Sequence, residues 1–118
     1  YYDDSPLNVT ESTISGNTAN RGGGIYNRYG SLNVTDSTIS NNGANGGAGG
    51  GILNVGTASV SRSTVSDNYL ADVSGAEFGG GFYNVGDLTV TETTISGNSA
   101  ETGFGGGIYS SYYSTLTI

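Results

Sequence analysis

The sequence predicts an all-β fold: a right-handed parallel β-helix (β-solenoid) of about four coils of roughly 25–30 residues, with three short strands per coil. Three observations predict it. A glycine triplet followed by a bulky apolar residue, a large residue and usually Asn occurs four times: Gly22-Gly23-Gly24-Ile25-Tyr26-Asn27, Gly49-Gly50-Gly51-Ile52-Leu53-Asn54, Gly79-Gly80-Gly81-Phe82-Tyr83-Asn84 and Gly105-Gly106-Gly107-Ile108-Tyr109-Ser110. A second phrase precedes each triplet: LNVTESTISGN (7–17), LNVTDSTISNN (32–42), ASVSRSTVSDN (58–68) and LTVTETTISGN (88–98), with a fifth copy beginning at Leu116-Thr117-Ile118. The starts of these phrases lie 25, 26, 30 and 28 residues apart, a period that belongs to solenoids.

Within the first phrase, Leu7 and Val9 alternate with Asn8 and Thr10, which is the period of a strand. A break at Glu11 leads into a second strand around Thr13, Ile14 and Ser15, and the abundance of β-branched residues favours strand over helix. The third strand is the triplet copy, with Ile25 and Asn27 inward and Tyr26 outward. Turns are expected at Glu11, in the Asn/Gly-rich stretch before each triplet, and at Tyr29-Gly30. That Asn-to-triplet stretch holds 4, 6, 10 and 6 residues in successive copies, as a surface turn tolerates.

The coils run approximately 7–31, 32–57, 58–87 and 88–115, with partial coils at 1–6 and 116–118, in one domain spanning 1–118. Stacking them in register predicts four inward ladders: Leu7, Leu32, Ala58, Leu88, Leu116; Val9, Val34, Val60, Val90, Ile118; Ile14, Ile39, Val65, Ile95; and Ile25, Ile52, Phe82, Ile108. A single coil buries too little to fix its own backbone, so neighbouring coils must supply the rest. Asn17, Asn42, Asn68 and Asn98 recur at one turn, where they read equally as a stacked amide ladder or as formers of a left-handed turn.

Ten acidic residues against three arginines give a net charge of -7, which predicts no nucleic-acid partner, because phosphate binding needs clustered cations. No run approaches the roughly 18 apolar residues of a membrane span, so no membrane insertion is expected. With no Cys and no His, neither a disulfide framework nor a thiol or imidazole metal site is expected, and no cofactor. An acidic surface rich in Ser, Thr and Asn points to an extracellular or cell-surface location.

The pairing of Ile14-Ser15-Gly16-Asn17 with Gly22-Gly23-Gly24-Ile25 resembles the FxxN and GGA[ILV] repeats of the chlamydial polymorphic outer-membrane proteins. It is closer still to the GGGIYN-type repeats of large bacterial surface proteins and adhesins built on right-handed parallel β-helices. The resemblance covers nearly the whole chain, with Ile or Val in place of Phe and Gly in place of Ala. It implies a bacterial surface scaffold and speaks to fold rather than to chemistry.

Parallel β-helices also carry polysaccharide-cleaving enzymes, which need clustered carboxylates with cationic or metal assistance. Asp67, Asp72 and Glu77 gather around the long third loop, but Arg62 is the only basic residue near them in sequence, and no enzyme activity is expected. Glu11, Asp36, Arg62 and Glu92 occupy one corner column, where Arg62 is placed to pair with both Asp36 and Glu92; a cation bridging Glu11 and Asp36 is the functional alternative. Thr13/Ser15, Thr38/Ser40, Thr64/Ser66 and Thr94/Ser96 form two outward hydroxyl columns, a candidate face for ice or glycan. Tyr26, Leu53, Tyr83 and Tyr109 project from the third strands, and the tyrosines Tyr26, Tyr83 and Tyr109 are a candidate ligand face for sugar rings or protein, or stack on one another. Asn8-Val9-Thr10 and Asn33-Val34-Thr35 match the glycosylation sequon and read as chance matches in strands.

Both ends of the chain read as partial coils: Tyr1-Tyr2 as the end of a triplet-type strand and Leu116-Thr117-Ile118 as the start of a new phrase. The expectation is a structural subunit that stacks head-to-tail through Tyr1, Tyr2, Leu116, Thr117 and Ile118 into a surface filament, so that its first partner is itself. The alternative is a section of a larger adhesin that binds glycan or a host or neighbouring cell surface.

Overall fold

The computed structural model describes residues 5–71 and 75–118. Alternation of β-branched and polar residues becomes strand, and three of the four kinds of corner between strands fall on a left-handed residue. The first coil holds β1 (Leu7–Thr10), β2 (Thr13–Ser15), β3 (Thr18–Arg21) and β4 (Ile25–Asn27). The second holds β5 (Ser31–Thr35), β6 (Thr38–Ser40), β7 (Gly43–Ala48) and β8 (Ile52–Asn54). The third holds β9 (Thr57–Ser61), β10 (Thr64–Ser66), β11 (Tyr69–Leu70) and β12 (Phe82–Asn84). β13 (Asp87–Thr91), β14 (Thr94–Ser96) and β15 (Ile108–Ser110) make the fourth, and β16 (Thr115–Thr117) begins a fifth.

Equivalent strands pair in parallel from coil to coil, giving four sheets: β1-β5-β9-β13-β16, β2-β6-β10-β14, β3-β7-β11 and β4-β8-β12-β15. The three-strand expectation is therefore corrected to four strands in each of the first three coils. The added strand lies between the repeated Asn and the Gly triplet, in the stretch expected to be a turn. Its sequence carries little apolar alternation, but Ala19 pairs with Ala44 and Ala44 with Leu70. That pairing satisfies backbone groups a buried loop would leave open. β7 is two residues longer than β3 between matched positions, since Ala19 and Arg21 pair with Ala44 and Ala48, and the register shift absorbs the excess as a bulge.

The expected ladders are seen in register. Leu32, Ala58 and Leu88, then Val34, Val60 and Val90, then Ile39 and Val65, then Ile25, Ile52 and Phe82 are buried and form one continuous core. Two end members depart from the inward expectation: Leu7 is 54% exposed and Ile118 is 83% exposed. Each lies on an end rung of the described residues.

The first corner turns on Glu11, Asp36, Arg62 and Glu92, all left-handed with φ between 45° and 50°. The triplet corner shows why three glycines are needed in succession. Gly49 is left-handed (φ 62°). A Cβ on Gly50 would meet the carbonyl oxygens of Gly80 and Tyr69 at 2.5 Å, and one on Gly51 would lie 2.7 Å from the Gly81 oxygen and 2.9 Å from Asn68 Nδ2. The first glycine turns the chain, and the next two let adjacent coils and an interior amide close on the backbone.

Those amides form two ladders. Asn42 Nδ2 donates to Asn68 Oδ1 (3.1 Å) and Asn68 Nδ2 to Asn98 Oδ1 (3.0 Å), while each Oδ1 also accepts the backbone N–H of the preceding Asn. Asn17 continues the ladder at the exposed end, donating to Asn42 Oδ1 at 3.1 Å. The ladder and turn readings thus merge: the residue before the amide takes the left-handed turn (Asn41, φ 55°; Asp67, φ 54°) and the Asn itself fills the interior. A second ladder joins Asn27, Asn54 and Asn84 at 2.8 Å per step and ends on Ser110 Oγ (3.2 Å). A third, of Ser37, Ser63 and Thr93 hydroxyls, accepts the backbone N–H groups of Ser12, Ser37 and Ser63. Among the described residues no helix is long and apolar enough to cross a membrane.

Candidate functional site: a gap in an outward aromatic stack

The triplet bends the chain between the third and fourth sheets, so side chains just before and just after it share one outer corner. Before it, parallel pairing sets Arg21, Ala48, Phe78 and Phe104 in one column. After it, Tyr26, Leu53, Tyr83 and Tyr109 form a second. In the third and fourth coils the two columns merge into an aromatic cluster. The ring centroids of Phe78 lie 5.6 Å from Tyr83, 4.6 Å from Tyr109 and 6.1 Å from Phe104, and Tyr83 meets Tyr109 edge-on at 5.4 Å. These separations fall in the range where aromatic pairs attract beyond simple area burial.

The second coil breaks the stack. Its contributions are Ala48 and Leu53, the two smallest side chains of their columns, and the β7 bulge adds Gly46 and Gly47 beside them. The result is a groove of ≈ 290 Å³ whose floor is Leu53, 3% exposed, with Arg21 and Tyr26 toward the first coil and Phe78 and Tyr83 toward the third. Arg21 is the only charged residue in the lining among the described residues.

Each of the three arginines has a different setting. Arg62 makes a two-point ion pair with Asp36, Nε to Oδ1 at 2.9 Å and a terminal nitrogen to Oδ2 at 3.0 Å. Arg28 lies over the Tyr29 ring at 5.0 Å. Among the described residues, Arg21 has no side-chain hydrogen bond or ion pair. It is close enough to act electrostatically on Tyr83, whose phenol is pushed above its ordinary range chiefly by burial and also by Tyr109, with Arg21 opposing both.

The tyrosine face is therefore corrected from a near-continuous outward column to a partly covered one. Tyr26 is 43% exposed, Tyr83 and Tyr109 are half-buried under Phe78, and Leu53 is sealed beneath the groove. The self-stacking and ligand-face readings divide between coils: Tyr83 and Tyr109 stack, and Tyr26 is left open. Sequence reading missed Arg21, Ala48 and Phe78. Their shared signal is that each immediately precedes a glycine triplet.

The remaining candidates are placed as follows. Thr13, Thr38, Thr64 and Thr94 are in register, as are Ser15, Ser40, Ser66 and Ser96, on the outer face of the second sheet, with the end rungs exposed and the middle rungs half-buried. Arg62 does not bridge its column; it bonds to Asp36 and feels Glu92 only through the field, because both forks of the guanidinium are taken up by one carboxylate. Of the loop acids, Asp67 is exposed at a left-handed corner. Glu77 is fully buried, with Oε2 accepting the Thr102 N–H at 3.3 Å and Oε1 without a hydrogen-bond partner among the described residues. No hydrogen bond joins them, and no group of three potential metal ligands occurs among the described residues. Leu116 is half-buried in β16 and Thr117 is exposed there. Tyr1, Tyr2 and Asp72 lie outside the described residues.

Stacked parallel sheets of this kind define a β-solenoid, a structural repeat protein. The chain belongs to the right-handed β-helix family, whose model, described as a right handed beta helix region, matches residues 1–118. Neither a curated protein nor a solved structure matches it.

Proposed function

We propose that this β-helix is a non-enzymatic extracellular scaffold that presents the groove over Leu53 as a ligand face, acting as an adhesive module at a cell surface. The observation that carries the reading is the interrupted aromatic stack: a concave, open site flanked by rings and holding a cation that has no ion-pair partner among the described residues. Loop acids that are separated, one of them buried, support a binding role over a hydrolytic one. The test is binding of the purified chain to arrays of glycans and peptides beside Leu53→Tyr, a variant that restores the missing ring from within. Array signals lost in that variant are expected, and signals that persist unchanged would overturn the groove as the ligand face.

A second reading, head-to-tail stacking into a filament, is supported by the in-register parallel pairing of the first sheet, β1-β5-β9-β13-β16, a pairing that a further copy would continue. Light scattering and negative-stain microscopy at rising concentration test it. Fibres would support stacking, and a mass that stays monomeric would remove it.

A further inference from the structure

The groove has a shape that its own repeat explains. Tyr26 and Tyr83 stand two rungs apart on the same column, with Leu53 between them. At the usual strand spacing those rungs are about 9.6 Å apart, so a ring held midway would lie about 4.8 Å from each. That is within the range of about 4.5–7 Å that aromatic pairs prefer. The neighbouring column repeats the pattern, with Ala48 in place of a ring beside Phe78. Along the column, the interval between Tyr26 and Tyr83 thus matches the insertion of one aromatic ring.

Two further features define the occupant. Among the described residues no carboxylate lines the groove, and their one charge there is the guanidinium of Arg21, which has no ion-pair partner among them, in a chain of net charge -7. A guanidinium free of a carboxylate in so acidic a chain is complementary to an anion. Beside Arg21, the side chains of the lining are aliphatic, aromatic or glycine, so its polar surface comes from the guanidinium, the tyrosines and the backbone, and matching the several hydroxyls of a sugar ring to those fixed groups carries a cost. A planar hydrocarbon ring has no such cost.

Resting on the reading of the groove as the ligand face, we propose that its occupant is a peptide segment of a partner protein carrying an aromatic side chain next to a carboxylate. The ring enters between Tyr26 and Tyr83 over Leu53, and the carboxylate meets Arg21.

The probe is an acetylated, amidated hexapeptide, Gly-Ser-Phe-Asp-Ser-Gly, titrated calorimetrically into the intact chain. Saturable binding is expected, lost when the peptide phenylalanine is replaced by alanine. Replacing the peptide aspartate with asparagine, or Arg21→Gln in the protein, each weakens binding about tenfold, and the two changes together weaken it no further. Leu53→Tyr abolishes binding while keeping or raising the melting temperature. Should that variant fail to fold, Ala48→Phe fills the same gap from the other column. Absence of saturable binding to the peptide, or undiminished binding by a folded gap-filling variant, overturns the proposal. If an oligosaccharide binds instead and is lost in the filled variants, the groove stands as a ligand face and the peptide assignment falls. If neither ligand class binds, both fall.

Discussion

Ala48 pairs in parallel register with Phe78 of the next coil, so one of the smallest side chains of an outward column stands directly beside one of its largest. The phenyl ring of Phe78 closes over Tyr83 and Tyr109, and the methyl of Ala48 closes over nothing equivalent. Phe78→Ala should therefore lengthen the groove by a coil and cost about 2–3 kcal/mol in lost ring contacts. Because burial is the first cause of the raised Tyr83 ionisation, uncovering it should bring that phenol back down toward the ordinary tyrosine range. Ultraviolet titration of wild type and variant between neutral and alkaline pH reads the shift.

The triplet glycines are not interchangeable with other small residues. Gly51→Ala places a methyl against the Gly81 carbonyl and the Asn68 amide, both fixed by the neighbouring coil. A loss of about 2–4 kcal/mol is expected, among the larger effects of a single methyl. Gly75→Ala, where a Cβ meets nothing within 4 Å, should be neutral or slightly stabilising. Paired thermal or urea melts decide it.

Asn68→Leu keeps roughly the volume of the side chain but removes all its bonds. It takes the Asn68 Oδ1 acceptor from the Asn42 N–H and from one Nδ2 proton of Asn42, takes the Asn68 amide from the Ile39 carbonyl, and leaves Asn98 Oδ1 with the Asn68 backbone N–H alone. The expected cost is about 3–4 kcal/mol, against less than about 1 kcal/mol for Asn17→Ala on the exposed end rung. Hydrogen exchange should show the loss concentrated at the amides of Asn42 and Asn68.

The pair of Asp36 with Arg62 gives an acid-side dependence. The hydrogen bonds to Arg62, aided by its charge, hold the Asp36 carboxyl below its usual range. A depressed carboxylate contributes stability above its unfolded pKa of about 3.9, and that contribution is lost as pH falls through the lower folded value. Asp36→Asn, which suits the same left-handed turn, should flatten that part of the melting-temperature profile below about pH 4 and leave the neutral-pH value little changed. High salt should diminish the difference.

Much of this architecture is legible in the residues themselves. The alternation around Leu32 and Val34, the repeated Ile39/Val65 position and the Gly-Gly-Gly-Ile phrase fix three of the four strands and their register. The third sheet is not legible, because its inward positions are occupied by alanines and one leucine and its strength comes from backbone pairing, which leaves no hydrophobic period. The interior amides were half-legible: Asn17, Asn42, Asn68 and Asn98 stand out by recurrence, whereas Ser37, Ser63 and Thr93 look like any other solvated hydroxyl. For the groove, the tyrosine column was visible and its partner column was not. Arg21, Ala48, Phe78 and Phe104 align by standing immediately before each triplet, but that this position shares an outer corner with the tyrosine column shows only in the folded chain.

The most direct test of the interrupted stack as a ligand site is methyl NMR of the six leucines during titration with the phenylalanine-aspartate peptide. Leu53, the groove floor, is expected to shift progressively and saturably, while Leu32 and Leu88 in the core stay fixed. A titration that leaves Leu53 unmoved, or that moves Leu7 and Leu116 instead, would contradict the account.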